Sequence, residues 1–125
     1  MQSLDSTSKS LQSQMLNKPL FVLYRRFTSR EGMAEKLADH LRWMVELEKD
    51  GRLFAAGPFV DDQGKVAEGS LIILRAGSIE EAEKVACQDP LVLGEFVVNT
   101  LHEWRLMEGR MSVTVDFSDQ SYRFD

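Results

Sequence analysis

Few residues in this 125-residue chain can move a proton near neutral pH: two histidines, His40 and His102, and a single cysteine, Cys87. Histidine is the side chain best suited to take or give a proton at working pH. To act as a general base it needs a partner that fixes its tautomer and a space beside it for the reacting molecule. His40 falls three residues after Leu37 and four before Met44. That spacing puts it at the edge of an apolar helical face, where it can look into the seam between a helix and a sheet. A base in such a seam can take a proton next to a carbonyl or lactone. Loss of a leaving group or a double-bond shift would follow from the same transfer. The plainer alternative is a boundary histidine satisfied by a backbone carbonyl.

The other candidates point elsewhere. His102 sits among Thr100 and Trp104 on an alternating stretch, so its face is expected at a sheet–sheet contact. Arg25 and Arg26 close an apolar run, and Arg25 is a candidate for holding a substrate carboxylate, against the simpler reading of a solvated strand end. Tyr24 and Trp43 can line a pocket or serve as core. Gly57-Pro58 reads as a backbone device that bends a strand and leaves room for a ligand. Cys87, near the end of a helix, reads as a small buried hydrophobe rather than a reactive thiol. Asp61, Asp62 and Glu68 crowd one turn without a histidine, so no metal site is expected. No cofactor motif is present, and none is expected.

The elements that must position these residues follow from periodicity. Residues 20–27, LFVLYRRF, are dense in aromatic and branched side chains and read as a strand. Phe21, Leu23 and Phe27 share one face and Leu20, Val22 and Tyr24 the other, so both faces are expected to be covered. Thr28 with Glu31 has capping-box spacing ahead of a helix to Lys49, in which Met33, Leu37, Leu41 and Met44 form an apolar stripe. Gly51 suits its left-handed C-cap. A second strand, 52–59, stops at Gly57-Pro58, and a third spans 69–75 after an Asp61–Gly64 turn. Ser78 and Glu81 repeat the capping spacing before a helix at 79–87, and Asp89-Pro90 stops that helix. Residues 95–107 form a long alternating fourth strand. Residues 111–117 read as one further edge strand, and the remaining SDQSYRFD as loose or as an arm across a partner.

The order strand, helix, strand, strand, helix, strand is the split βαβ pattern: an α+β, ferredoxin-like fold with a four-stranded antiparallel sheet. The expected division is an N-terminal tail over 1–18, a domain over 19–107 and a C-terminal extension over 108–125. The tail carries Leu4, Leu11, Met15 and Leu16 as a weak helical stripe. Two helices can cover only one sheet face, so a homodimer packed through its sheet faces is expected.

Composition narrows the partners. Net charge is −5 and basic residues are scattered, which argues against nucleic acid. No apolar run reaches the length of a membrane span, and the N-terminus lacks a signal-peptide core, so no membrane partner and a cytoplasmic location are expected.

Three features lie in a fixed order: His40 in the first helix, EKDGRLFAAGPF ending in Gly57-Pro58, and Asp89-Pro90 before the last strand. With the GSL of the third strand between them, they resemble the YCII-related (YciI-like) family of small α+β proteins over about residues 20–106. The resemblance implies a dimeric ferredoxin-like fold, related in architecture to muconolactone isomerase, with a His-Asp site. It carries the family's histidine onto His40 and its aspartate onto Asp89, which would be the orienting carboxylate for the base. Some members of the family are dehydrochlorinases or dehalogenating lyases of aromatic breakdown products, and many have no assigned activity. One departure is visible: Leu91 follows Asp-Pro where the family commonly has an aromatic. The expected function is a small-molecule enzyme of lyase or isomerase type using the His40–Asp89 pair. The alternative is a non-catalytic dimeric module that binds a small organic ligand or serves assembly. Nothing in the residues speaks for a third, regulatory role.

Overall fold

The computed structural model describes residues 4–124; the first three positions of the expected tail and Asp125 of the expected extension lie outside them. Its elements run in order α1 (Ser6–Ser13), β1 (Lys18–Phe27), α2 (Met33–Lys49), β2 (Leu53–Val60), β3 (Val66–Leu74), α3 (Ile79–Ala86), α4 (Pro90–Leu93), β4 (Val97–Leu106), β5 (Val113–Asp116) and β6 (Ser121–Phe124). They form two compact units, one spanning Pro19–Arg105 and one built from the two terminal segments.

The larger unit holds a four-stranded sheet in the order β2-β3-β1-β4, the ferredoxin-like arrangement. β1 pairs antiparallel with β3 in the register Phe21↔Leu74, Leu23↔Ile72 and Arg25↔Ser70. These residues share one face because side chains alternate along a strand. Under that face lies the core, where Phe21, Leu23, Ile72 and Leu74 meet Met44 and Leu47 of α2 and Ala82, Val85 and Ala86 of α3. The face without helices leaves Tyr24, Val98 and Trp104 exposed.

The close of α2 follows the expected chemistry. Gly51 has φ of 79°, and its N–H donates to Glu48 O while that of Arg52 donates to Leu47 O. This is the Schellman arrangement, which needs a left-handed residue at that point. α3 also follows: Ser78 Oγ accepts from Glu81 N–H at 3.2 Å, and Glu81 Oε2 accepts from Gly77 N–H at 2.8 Å.

Three expectations are corrected here, and one is extended. Thr28 does not cap α2; the N-cap is Gly32, which has no side-chain bond, and Thr28 Oγ1 instead donates to Glu95 O. β2 is not stopped by Gly57-Pro58 but continues to Val60 through a register shift. It is an edge strand, the kind of strand in which proline is tolerated. Asp89-Pro90 follows the close of α3 as expected, and it also begins the next helix: Pro90 opens α4 and Asp89 is its N-cap. Cys87 is exposed rather than buried, because it is the C-cap of α3 and falls beyond the helix's buried row of Ala82, Val85 and Ala86.

In the smaller unit the Leu4–Leu16 stretch contains α1, capped by Asp5 Oδ1 accepting from Ser8 N–H at 2.7 Å. Leu4, Leu11 and Leu16 stay exposed. Residues 111–117 do not extend the main sheet: β5 pairs with β6, the segment read as loose, in a separate two-stranded sheet. The reversal is made by a turn in which Gln120 takes φ of 58° and Asp119 Oδ1 accepts from Ser121 N–H at 3.0 Å.

One backbone approach bears on the site. A Cβ added to Gly69 would stand 1.9 Å from Arg25 O, and neither backbone can yield without breaking the β1–β3 register. Gly69→Ala is therefore expected to destabilise by about 1–3 kcal/mol. Urea unfolding checks this; an unchanged midpoint would contradict the close approach.

Candidate functional site

A carboxylate joins three elements. Asp89, at the mouth of α4, is fully buried. Its Oδ1 accepts from Leu91 N–H at 2.9 Å, the cap that starts α4. The same oxygen lies 2.8 Å from His40 Nδ1. Its Oδ2 lies 2.7 Å from Arg25 Nη1, an ion-pair contact whose angles fall short of a hydrogen bond. Arg25 reaches it because position 25 follows 21 and 23 on the core-facing row of β1. Arg25 Nε donates to Asn99 Oδ1 at 2.9 Å, and Nη2 has no hydrogen-bond partner among the described residues. The reading of Arg25 as a solvated strand end is thus corrected: its side chain is 1% exposed.

The electrostatics follow from this packing. Burial on its own would raise the Asp89 carboxyl. The His40 hydrogen bond, the Arg25 charge and the Leu91 amide together outweigh burial and hold its pKa below the ordinary value of 3.8. Asp89 is therefore an acceptor through the neutral range. Nδ1 of His40 must then carry the proton, which leaves Nε2 as the basic nitrogen. His40 is 12% exposed, with Trp43 against it at 6.3 Å between ring centroids.

Beside His40 lies an open cavity of about 730 Å³ between α2 and the β2 edge of the sheet. Gly57 and Pro58 line it, and a Cβ at Gly57 would meet nothing within 4 Å. Arg25, Arg30, Ser70 and Glu48 add polar groups to a wall that is otherwise largely apolar. Met33, Leu37 and Leu41 of the expected apolar stripe line this cavity, and Leu37 and Leu41 are exposed. Periodicity shows that a helix has an apolar face but not whether that face meets a sheet or a hollow. Arg30 was not singled out from sequence and carries no spacing signal that would have marked it; Ser70 entered only as the middle residue of the GSL stretch.

Tyr24 is not brought to His40. Alternation turns it to the helix-free face, where it packs on Phe59 at 5.5 Å between centroids and lines a separate recess. Trp43 packs against the core and does not line the cavity. His102 is exposed on β4.

Among the described residues no helix is long and apolar enough to cross a membrane. Comparison with known proteins agrees with the fold. The chain is 35% identical over 72 residues to the uncharacterised protein YjpA of Bacillus subtilis (strain 168), covering 58% of this chain and 79% of YjpA. Its structure is similar to 5-chloro-2-hydroxyhydroquinone dehydrochlorinase (TftG) from Burkholderia phenoliruptrix AC1100, solved in complex with 2,5-dihydroxybenzoquinone. The TM-score is 0.56 at 22% identity, over 68% of this chain and 92% of that one. Residues 19–105 match the YCII-related domain, and with more than half of its length in that match the chain belongs to the YCII-related family.

Proposed function

We propose that the protein is a small-molecule enzyme in which His40 and Asp89 act as a proton-transfer pair, without need of a cofactor. The observation that carries this is the 2.8 Å contact between His40 Nδ1 and a buried, ion-paired carboxylate, at the wall of a largely apolar cavity. Asp89 orients the imidazole and holds it in the tautomer with its proton on Nδ1. Nε2 takes a proton from a carbon next to a carbonyl or lactone, and the electron pair moves into the carbonyl as an enolate. Collapse of the enolate expels a β leaving group such as chloride, which is elimination. Reprotonation at another carbon moves the double bond, which is isomerisation. The dehydrochlorinase named above lends the first outcome support by fold alone. Arg25 keeps Asp89 ionised. Gly57 and Pro58 leave space at the β2 wall.

The test offers the wild-type chain 5-chloro-2-hydroxyhydroquinone and a panel of lactone acids and halogenated ketones in D2O. Chloride release or exchange of a C–H signal by the wild type, and neither by His40→Ala, is the expected result. Equal turnover by both proteins would overturn the mechanism.

The same reading takes the helix-free sheet face as the contact between two copies. Tyr24, Val98 and Trp104 stand 54%, 49% and 39% exposed there. An apolar area of this kind is commonly covered in solution. Light scattering at micromolar concentration should give the mass of a dimer; a monomer mass would remove this part of the proposal.

A further inference from the structure

We infer that Arg30 is the anchoring cation of the cavity, and that the molecule admitted there carries a carboxylate at one end of a compact apolar body. The inference rests on reading the cavity as the substrate site. The two cavity arginines differ in what they have left to offer. Arg25 is buried and already committed to Asp89 and Asn99. Arg30, from the segment between β1 and α2, has no carboxylate within ion-pair distance among the described residues. Its guanidinium is nevertheless held in place. It stacks 4.9 Å from the Phe27 ring centroid, and Nη2 donates to Ala67 O. Five N–H donors in a planar fork, one of them used, leave a face able to take a carboxylate through two parallel bonds.

The cavity is polarised along α2. Arg30 adjoins the Met33 end of that helix, and Glu48 lines the cavity at the other end. Met33 and Glu48 are about 22 Å apart along the helix axis, and Met33 and His40 about 10 Å, at the usual rise per residue. A carboxylate is attracted at the Arg30 end and repelled at the Glu48 end. Leu37 and Leu41 of the cavity wall lie between these ends and suit an apolar ring or short chain. A bound acid is therefore oriented with its body toward His40. The chain's net charge of −5 makes such a local cation more telling, because the overall field does not favour anions.

Phenylacetate and its uncharged isostere phenylacetamide are the probes, titrated into the full chain by NMR or calorimetry. The wild type should bind phenylacetate about tenfold or more tightly than phenylacetamide. Arg30→Gln keeps a donor for Ala67 O but removes the charge. It should lose that preference while binding phenylacetamide as the wild type does. Equal binding of the two probes by the wild type overturns the inference. So does a preference that survives in Arg30→Gln, tighter binding of phenyl phosphate than of phenylacetate, or no binding of either probe at millimolar concentration. His40→Ala separates this inference from the catalytic reading, since the preference for the acid should persist in it. A chain that never turns over any substrate but keeps the Arg30-dependent preference retains the anchor and loses only the proton-transfer proposal.

Discussion

Replacing His40 with alanine is expected to lower kcat/KM on the cavity's substrate by about 10²–10⁴-fold, the usual contribution of a positioned general base. The fold should survive, because His40 lies outside the core cluster and is partly exposed. Asp89→Asn tests the same pair differently. An asparagine can offer an amide N–H to Nδ1, which favours the tautomer with its proton on Nε2, the atom that must accept. The loss should approach that of His40→Ala although the shape of the site is nearly unchanged. A mutant in which turnover falls less than tenfold would show that proton transfer at this imidazole is not the step that limits or enables the reaction. Because Asp89 is held ionised well into the acid range, it should add no limb of its own to the pH–rate profile between neutrality and pH 5.

Arg25→Met is expected to destabilise the fold by about 3–5 kcal/mol at neutral pH, because it strands a buried carboxylate without its cation. Asp89 is 0% exposed, so water cannot replace the guanidinium. The effect depends on pH, with a definite sign. In the wild type the folded-state pKa of Asp89 is lowered. Its contribution is fully present above the ordinary value of 3.8 and is lost as pH falls below that value through the folded one. In Arg25→Met burial loses its strongest charge opponent and the folded pKa moves up. The penalty is then present at neutral pH and relieved as pH falls through the raised value. Urea midpoints of both proteins at pH 7 and pH 4 should therefore converge on the acid side. The double replacement Arg25→Met/Asp89→Leu should recover much of the loss, since apolar groups can stand in for a buried ion pair at little net cost. A loss below about 1 kcal/mol in the single variant would mean that the pair is solvated in solution.

The order and type of the main elements were legible from the chain. The density of aromatic and branched side chains in residues 20–27, the stripe from Met33 to Met44, and the caps at Gly51 and Ser78 are local patterns, and local patterns survive translation into helices and strands. His40 was recognisable as an edge residue for the same reason. Its pairing with Asp89 became legible only through the family's motif, since no local rule links two positions 49 residues apart.

Tertiary structure decided the rest. Alternation already placed position 25 on the row of Phe21 and Leu23, yet it could not say that α4 would set a carboxylate opposite that row and so make a buried arginine stable. Thr28 had the residue type for a cap, but Glu95 O, from the link between α4 and β4, took its hydroxyl and α2 began later. The apolar stripe of α2 was visible from its spacing. Whether its first turns would meet a packed sheet or border a cavity depended on how the helix sits over the β2 edge. Periodicity reports which side chains share a face. What that face meets, and hence whether His40 opens onto solid core or onto a space for a substrate, is a property of packing between elements distant in sequence.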